Sequence, residues 1–487
     1  MALTELSGLD AGFLYIESAE TPMHVGSLNV LEPPADLRGS FAARVRKHIA
    51  ARLHLVPLFT RRLEEPPLHI GHPFWVEAEE VDLDWHVQSR RLKAPAGPRQ
   101  LNTLIAKLHA EVLDRARPLW QFTVIEGLQG GRVALYSKIH HATLDGAAGV
   151  QLAQALLDIT PVPRSVPAPE QHRHARRVSR RRMLGALLSN SLAQYAKLAR
   201  AVPDAVKALA ETARGGASWQ RLTGLAEQWL APRTRFNAQI GVARHFETFS
   251  LPLNEFKAVA AALDATVNDL VLTLCSGALA RYLKRHKELP ERSLIAAVPV
   301  SLREQGDARQ TNQVTMLPCA LGTDAPDAAA RLAAIQAGMA KIKTTTRSLK
   351  DFIPTDFPSL FAPWLIGGLA QIVQRTQLAE RIPLPANLVI SNVPGPPVAL
   401  YLAGARMLAY YPVSIVTHGL ALNITLHSYD GKLDFGLIAC ARTVPDLARL
   451  IDDLGVSYDE LRQLAADRLA PKATPRKRAR GRAGAAA

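Results

Sequence analysis

The stretch Trp120-Gln-Phe-Thr-Val-Ile-Glu-Gly-Leu-Gln-Gly-Gly-Arg-Val-Ala-Leu-Tyr-Ser-Lys-Ile-His-His-Ala-Thr-Leu-Asp-Gly146 decides how the chain is read. Trp120 to Glu126 reads as a strand, and Gly-Leu-Gln-Gly-Gly at 127–131 is a turn signal. Arg132 to Ile139 then reads as the returning strand of a hairpin. That strand delivers His140 and His141 to its end, just before the helix-like run Ala147 to Leu157. Strand alternation puts His141 on one face with Ile139, Leu135 and Val133, and His140 on the other with Lys138 and Tyr136. The two imidazoles are therefore expected to point apart.

Working outward, Phe41 to Leu55 reads as a helix, so residues 1–160 form an α/β unit. At Pro161 the composition turns to Pro, Arg and His, which marks a basic, partly helical linker over 161–240. Within it, Leu184, Leu187, Leu188, Tyr195, Leu198 and Val202 recur at helical spacing beside Lys197 and Arg200. A second mixed region covers 241–469. It is expected to hold a helix from Thr266 to Lys287, strands at Leu294 to Val300, Leu388 to Ser391, Gly419 to His427 and Leu433 to Cys440, and a helix from Val444 to Leu469. Residues 470–487 read as a basic disordered tail. The fold class is α/β in two layered halves.

The chain has 487 residues, 48% of them apolar and 21% charged, which places it in the globular class and excludes small disulfide scaffolds. Its net charge of +15 is concentrated in two places. Pro161 to Arg182 holds seven Arg and one Glu, and Pro471 to Ala487 holds six Lys or Arg and no acid, so the remaining body is nearly neutral. That distribution argues against a nucleic-acid partner. Cys275, Cys319 and Cys440 are far apart and fit neither a disulfide framework nor a zinc site. No secretory signal or membrane-spanning stretch is read, so a cytoplasmic setting is expected. The basic run would favour peripheral contact with an anionic membrane or lipid-droplet surface, and the amphipathic series after it reads as a helix docked on the body or as one lying on such a surface.

A histidine just past a strand end, with its backbone fixed by a turn glycine such as Gly146, can be held in one tautomer and present its free nitrogen to a hydroxyl. That makes His141 a candidate general base. Asp145 reads either as an N-cap of the next helix or as a buried ion that orients the loop. Adjacent histidines on a strand do not chelate one ion, so no metal is expected. An isolated His-His pair is most often two satisfied histidines at a surface turn, and the motif alone does not choose.

His-His-x-x-x-Asp-Gly in a strand-loop-helix setting resembles the motif of coenzyme A-dependent acyltransferases related to chloramphenicol acetyltransferase and to peptide-synthetase condensation domains. Further segments narrow the resemblance. They are Leu6-Ser-Gly-Leu-Asp-Ala-Gly-Phe13, Pro22-Met-His24, Arg117-Pro-Leu-Trp120, Asn268-Asp269, Pro299-Val-Ser-Leu-Arg303, Ser391-Asn-Val-Pro-Gly-Pro396 and Gly431-Lys-Leu-Asp-Phe-Gly436. With them, residues 3–467 are similar to the bacterial wax ester synthase/diacylglycerol acyltransferase family.

The resemblance implies two chloramphenicol acetyltransferase-like halves, each a mixed sheet packed with helices, with a tunnel between them. It also implies transfer of a long-chain acyl group from acyl-CoA, the donor substrate, to diacylglycerol or a fatty alcohol, with no cofactor. His141 would be the base, with His140, Asp145 and Gly146 in support. Asn268, Ser391 or Thr143 would serve the oxyanion, and Trp120, Pro118, Ser391, Asn392 and Arg303 would lie along the substrate passage. Each has a plainer reading. Thr266 to Asp269 fits a capping box, Pro118 to Trp120 fits strand packing, and Ser391 to Pro396 fits a rigid crossover between halves. Arg303 is a candidate partner for Asp145, and the apolar run Phe357 to Leu378 fits core packing or a lipid-lined passage. Two rivals stand beside this reading: condensation chemistry on carrier-protein thioesters, and a non-catalytic lipid-surface binding protein.

Overall fold

A computed structural model describes residues 4–66, 71–144, 148–168, 230–301, 314–349 and 384–470. Asp145, Gly146, Arg303, the stretches 184–202 and 357–378 and the tail from 471 lie outside them. In chain order the first strands are β1 (Thr4–Glu5), β2 (His24–Glu32), β3 (Arg61–Glu64), β4 (Phe74–Glu77), β5 (Val87–Ala96), β6 (Trp120–Leu128) and β7 (Val133–His140). They are followed by β8 (Arg244–Pro252), β9 (Ile295–Ser301), β10 (Val314–Ala320), β11 (Leu388–Val393), β12 (Tyr401–Leu402), β13 (Ala405–Val413), β14 (Leu422–Tyr429) and β15 (Lys432–Cys440).

Among the described residues these strands make two six-stranded mixed sheets and one three-stranded sheet. The first runs β12-β13-β2-β7-β6-β5, the second β10-β9-β11-β14-β15-β8, and the small one β1-β4-β3. The β6–β7 hairpin forms as read, because Gly130 and Gly131 both take positive φ at the turn, a region costly for other residues. The helix expected from Phe41 to Leu55 stops at Ala50, and a separate short turn follows at Leu53–Leu55.

Strands β12 and β13 belong to the second half by sequence but complete the first sheet. The chain leaves β11 in the second sheet, passes through the Pro394–Pro397 turn and pairs β13 antiparallel to β2. The hairpin β14–β15 then grips the crossing strand. Lys432 Nζ donates to the Leu408 carbonyl (3.0 Å), and the buried Asp434 carboxylate accepts from the Tyr410 N–H (2.8 Å) and Ser250 Oγ (2.6 Å). Gly436, next on the same face, lies against the Pro412 carbonyl. These are alternate residues of one strand, so a single face of β15 reads the crossing backbone.

Packing follows the two sheets. The helix Val267–Arg285 begins at the capping box, where Thr266 Oγ1 accepts from the Asp269 N–H and the Asp269 carboxylate accepts from the Thr266 N–H, each 3.1 Å. It buries Leu270, Leu274 and Leu279 against the second sheet and the helices Ala328–Leu349 and Leu447–Leu469. Each such leucine contributes about 1.5–3 kcal/mol of apolar burial. A second cluster joins the halves, since Leu28, Ala134 and Tyr136 share it with Phe246, Ile438 and Cys440. The three cysteines are free and buried. Among the described residues, no single helix is long and apolar enough to cross a membrane.

Candidate active site

His140 ends β7, in the middle of the first sheet, opposite His24 of β2. The next residue leaves the sheet, and the His141 N–H donates to the Met23 carbonyl (2.8 Å) as a 3-10 turn over His141–Thr143 begins. The alternation read from sequence holds in the strand. Tyr136, Lys138 and His140 meet polar partners, whereas Val133, Leu135 and Ile139 enter the first sheet's apolar core.

His140 is fully buried. The Ala142 N–H donates to its Nδ1 (3.1 Å), so a neutral ring carries its proton on Nε2, 3.3 Å from Glu17 Oε1. Glu17 closes the helix Gly8–Ile16 and also accepts from the Met23 N–H (3.0 Å) and from Arg115 Nη2 (2.8 Å). Burial pushes its carboxyl up, yet His140, Met23 and Arg115 outweigh burial and hold it at about 2. Glu17 and Arg115 are site residues the sequence reading did not single out. Glu17→Gln is expected to lower kcat about tenfold and stability by about 1–3 kcal/mol, through the lost counter-charge to Arg115. Steady-state rates and chemical denaturation check both.

The His141 ring lies 4.1 Å from the Phe13 ring, centroid to centroid and nearly parallel at 23°. Its Nδ1 is buried and, among the described residues, has no partner beyond its own residue. Burial, reinforced by His140 and opposed by the residue's own carbonyl, pulls the imidazole down to about 4. The ring is therefore neutral across the physiological range, as a proton acceptor must be.

Behind the pair lies a buried polar block. Lys138 Nζ donates to the carbonyls of Leu108 (3.0 Å) and Glu111 (2.9 Å) at the end of the helix Pro98–Ala110. Its ammonium is pulled down to about 8, mainly by burial. His24 donates to the His109 carbonyl (2.8 Å), and His109 bridges the Tyr136 hydroxyl and the Ser414 carbonyl. Burial pulls His109 to about 3, and His86 and His427 to about 4. In the unfolded chain such imidazoles titrate near 6.5, so below that pH the unfolded state binds more protons than the folded one. The contribution of these histidines to stability is thus expected to be full above pH 6.5 and to fall as pH drops from 6.5 toward 4. Melting temperatures in that range check it.

The remaining sequence candidates are placed unevenly. Trp120 is fully buried, donates to the Phe59 carbonyl (3.1 Å) and stacks on His86 (4.2 Å), so its side chain offers no surface to a ligand, and Pro118 beside it is also buried. Thr143 Oγ1 donates to the His140 carbonyl (2.7 Å), which uses its one proton and removes it as an oxyanion donor. Asn268, in the first turn of its helix, and Ser391 and Asn392, on β11, are half-buried.

Two mixed sheets joined by a crossing strand, with a histidine pair at the end of the central strand, define the architecture of the chloramphenicol acetyltransferase-like and condensation-domain class. A condensation domain of the calcium-dependent antibiotic synthetase matches the fold at TM-score 0.52 and 16% identity, over 95% of this chain and 98% of that one. The wax ester synthase/diacylglycerol acyltransferase from Marinobacter aquaeolei VT8 matches at TM-score 0.69 and 30% identity, over 95% and 100%. A Mycobacterium tuberculosis protein named probable diacylglycerol O-acyltransferase is 37% identical over 460 residues, 93% of this chain and 98% of the relative. The model of the wax ester synthase/diacylglycerol acyltransferase catalytic domain matches residues 6–271, and that of the family's C-terminal domain matches 310–462. The chain belongs to the wax ester synthase/diacylglycerol acyltransferase family and is an acyltransferase.

Proposed function

We propose that the enzyme transfers a long-chain acyl group from acyl-CoA to the free hydroxyl of diacylglycerol, making triacylglycerol, and in a second activity to fatty alcohols, making wax esters. The observation that carries this reading is the neutral His141 at the strand end, held without a carboxylate partner among the described residues. The acceptor hydroxyl gives its proton to the outer nitrogen, Nε2, as its oxygen attacks the thioester carbonyl. The tetrahedral oxyanion collapses with cleavage of the carbon–sulfur bond, and the imidazolium returns the proton to the departing coenzyme A sulfur. No acyl group is held on the protein. Asn268 and Ser391 are the proposed oxyanion donors, since Thr143 is already committed.

The relatives' names support diacylglycerol as the first acceptor. Residues 161–182, with their seven arginines, support docking to an anionic lipid surface. The test supplies purified protein with labelled palmitoyl-CoA and competing diacylglycerol, hexadecanol and a short alcohol. Labelled triacylglycerol as the main product is expected. Transfer confined to the short alcohol, or only to carrier-protein acceptors in a parallel assay, would overturn the reading.

A further inference from the structure

We infer that Phe13 is a positioning residue for acyl transfer: its ring, stacked on His141, sets the plane of the imidazole and keeps water off its inner face. The inference rests on His141 being the base. It begins from what is missing around that ring. In hydrolytic triads a carboxylate on the far nitrogen fixes the orientation of the catalytic imidazole. Among the described residues no carboxylate touches His141, and its buried Nδ1 has only its own carbonyl nearby. The backbone N–H is pinned by Met23, and Nδ1 has the residue's own carbonyl beside it. Phe13, at 4.1 Å and 23°, adds the stacked ring that sets the plane of the imidazole. A stacked pair of this kind contributes about 0.5–1.5 kcal/mol beyond its buried area.

Phe13 is itself held at both ends of its helix. Ser7 Oγ accepts from the Asp10 N–H (3.1 Å) at the start, and Glu17 at the end is tied to His140, Met23 and Arg115. Between these ends, Leu6, Leu14, Leu119 and Ala142 form an apolar cluster that Phe13 and Tyr15 join. The opening segment Leu6 to Phe13, which stands far from the histidines in sequence, thereby becomes the roof over His141.

Among the described residues, the titratable groups on the surrounding elements are otherwise engaged. Asp10 accepts from Ser7 Oγ, Tyr15 pairs with His72, Glu17 holds His140 and Arg115, and His24 donates to the His109 carbonyl. Among the described residues, His140 is the charge that acts on His141, and burial is the larger cause of the depressed basicity. Opening the roof should let water in and move the imidazole back toward its ordinary range.

The experiment measures kcat, KM and the acid limb of kcat/KM between pH 4 and 8 for native protein, Phe13→Ala, Phe13→Leu and Phe13→Tyr, with palmitoyl-CoA, diacylglycerol and parallel melting curves. Phe13→Ala is expected to lose at least about tenfold in kcat with little change in KM. Its acid limb should rise by about one pH unit or more. Phe13→Leu should lose kcat with a native melting temperature, and Phe13→Tyr, which keeps the ring, should restore it. A native acid limb in Phe13→Ala overturns the inference. If that variant fails to fold, Phe13→Leu decides, and equal rates for Leu and Tyr overturn it. His141→Ala serves as the control: if it stays active, the base assignment fails, whereas an inactive His141→Ala beside native-like Phe13 variants refutes only the role of the ring.

Discussion

Replacing His141 with Ala is expected to reduce kcat by about 10²–10⁴-fold, the range a positioned general base contributes. An alcohol's proton is held far more tightly than an imidazole's, so attack on a thioester requires the proton to leave as the bond forms. Water could accept that proton, but Phe13 and the helix Gly8–Ile16 pack on the turn that carries His141, and the proposed roof would limit water's approach to the ring. The loss should fall on kcat, since in the proposed mechanism His141 takes a proton and does not hold either substrate. It should also come without loss of stability at low pH. His141 is kept neutral by burial, so it costs folding free energy as pH falls below 6.5, and its removal takes that cost away. Initial rates of labelled triacylglycerol formation together with melting curves at pH 5 and 7 measure both effects. A variant within tenfold of native would remove His141 from the chemistry.

His140→Ala should behave differently. His140 touches Glu17 and the Ala142 N–H and has no exposed surface, so its loss acts on the turn that carries His141. Lower stability should accompany lower activity in that variant, whereas in His141→Ala the two should separate.

What could be read from sequence follows from the range over which each feature is determined. The β6–β7 hairpin, the face alternation that separates His140 from Ile139 and the capping box at Thr266 all depend on residues a few places apart, and all are present. Glu17 was not legible. Nothing in its neighbourhood distinguishes it from a solvated carboxylate at a helix end, and it becomes a site residue only because β2 pairs with β7 and brings Met23 beside His141. The same holds for Phe13, whose place in the opening motif implies no task by itself. Trp120 shows the opposite case. Its motif fits strand packing or a substrate passage, and its ring is enclosed by Phe59, His86 and Phe122, which is the packing arrangement. The crossover itself was legible in the rigid Ser391 to Pro396 segment, but the sheet that β12 and β13 join was not: a strand's own sequence specifies which face is apolar, not which of two sheets will pair with it.

That crossing makes Gly436 the position where a single methyl group should do most damage to folding. A Cβ built there would lie 1.8 Å from the Pro412 carbonyl oxygen and 2.9 Å from its carbon, both backbone atoms of the crossing strand. Relief by a rotamer change is impossible, because neither atom belongs to a side chain. The strands β13 and β15 must separate, and Asp434 and Lys432 on the same face of β15 would lose their hold on Tyr410 and Leu408. Overpacking alone costs about 1–3 kcal/mol. Leaving the buried Asp434 carboxylate with a broken partner adds about 1–3 kcal/mol more. Gly436→Ala is therefore expected to lose about 2–6 kcal/mol, whose upper part is enough to unfold a marginal protein. Gly455, inside the helix Leu447–Leu469, provides the contrast, since a Cβ there meets nothing within 4 Å. Gly455→Ala should gain about 0.5–1 kcal/mol from the helix preference for alanine. Denaturant titration of both variants measures the difference. Near-native stability of Gly436→Ala would mean that β13 can sit farther from β15 without cost, and the grip of that strand on the crossing would not be what holds the two sheets together.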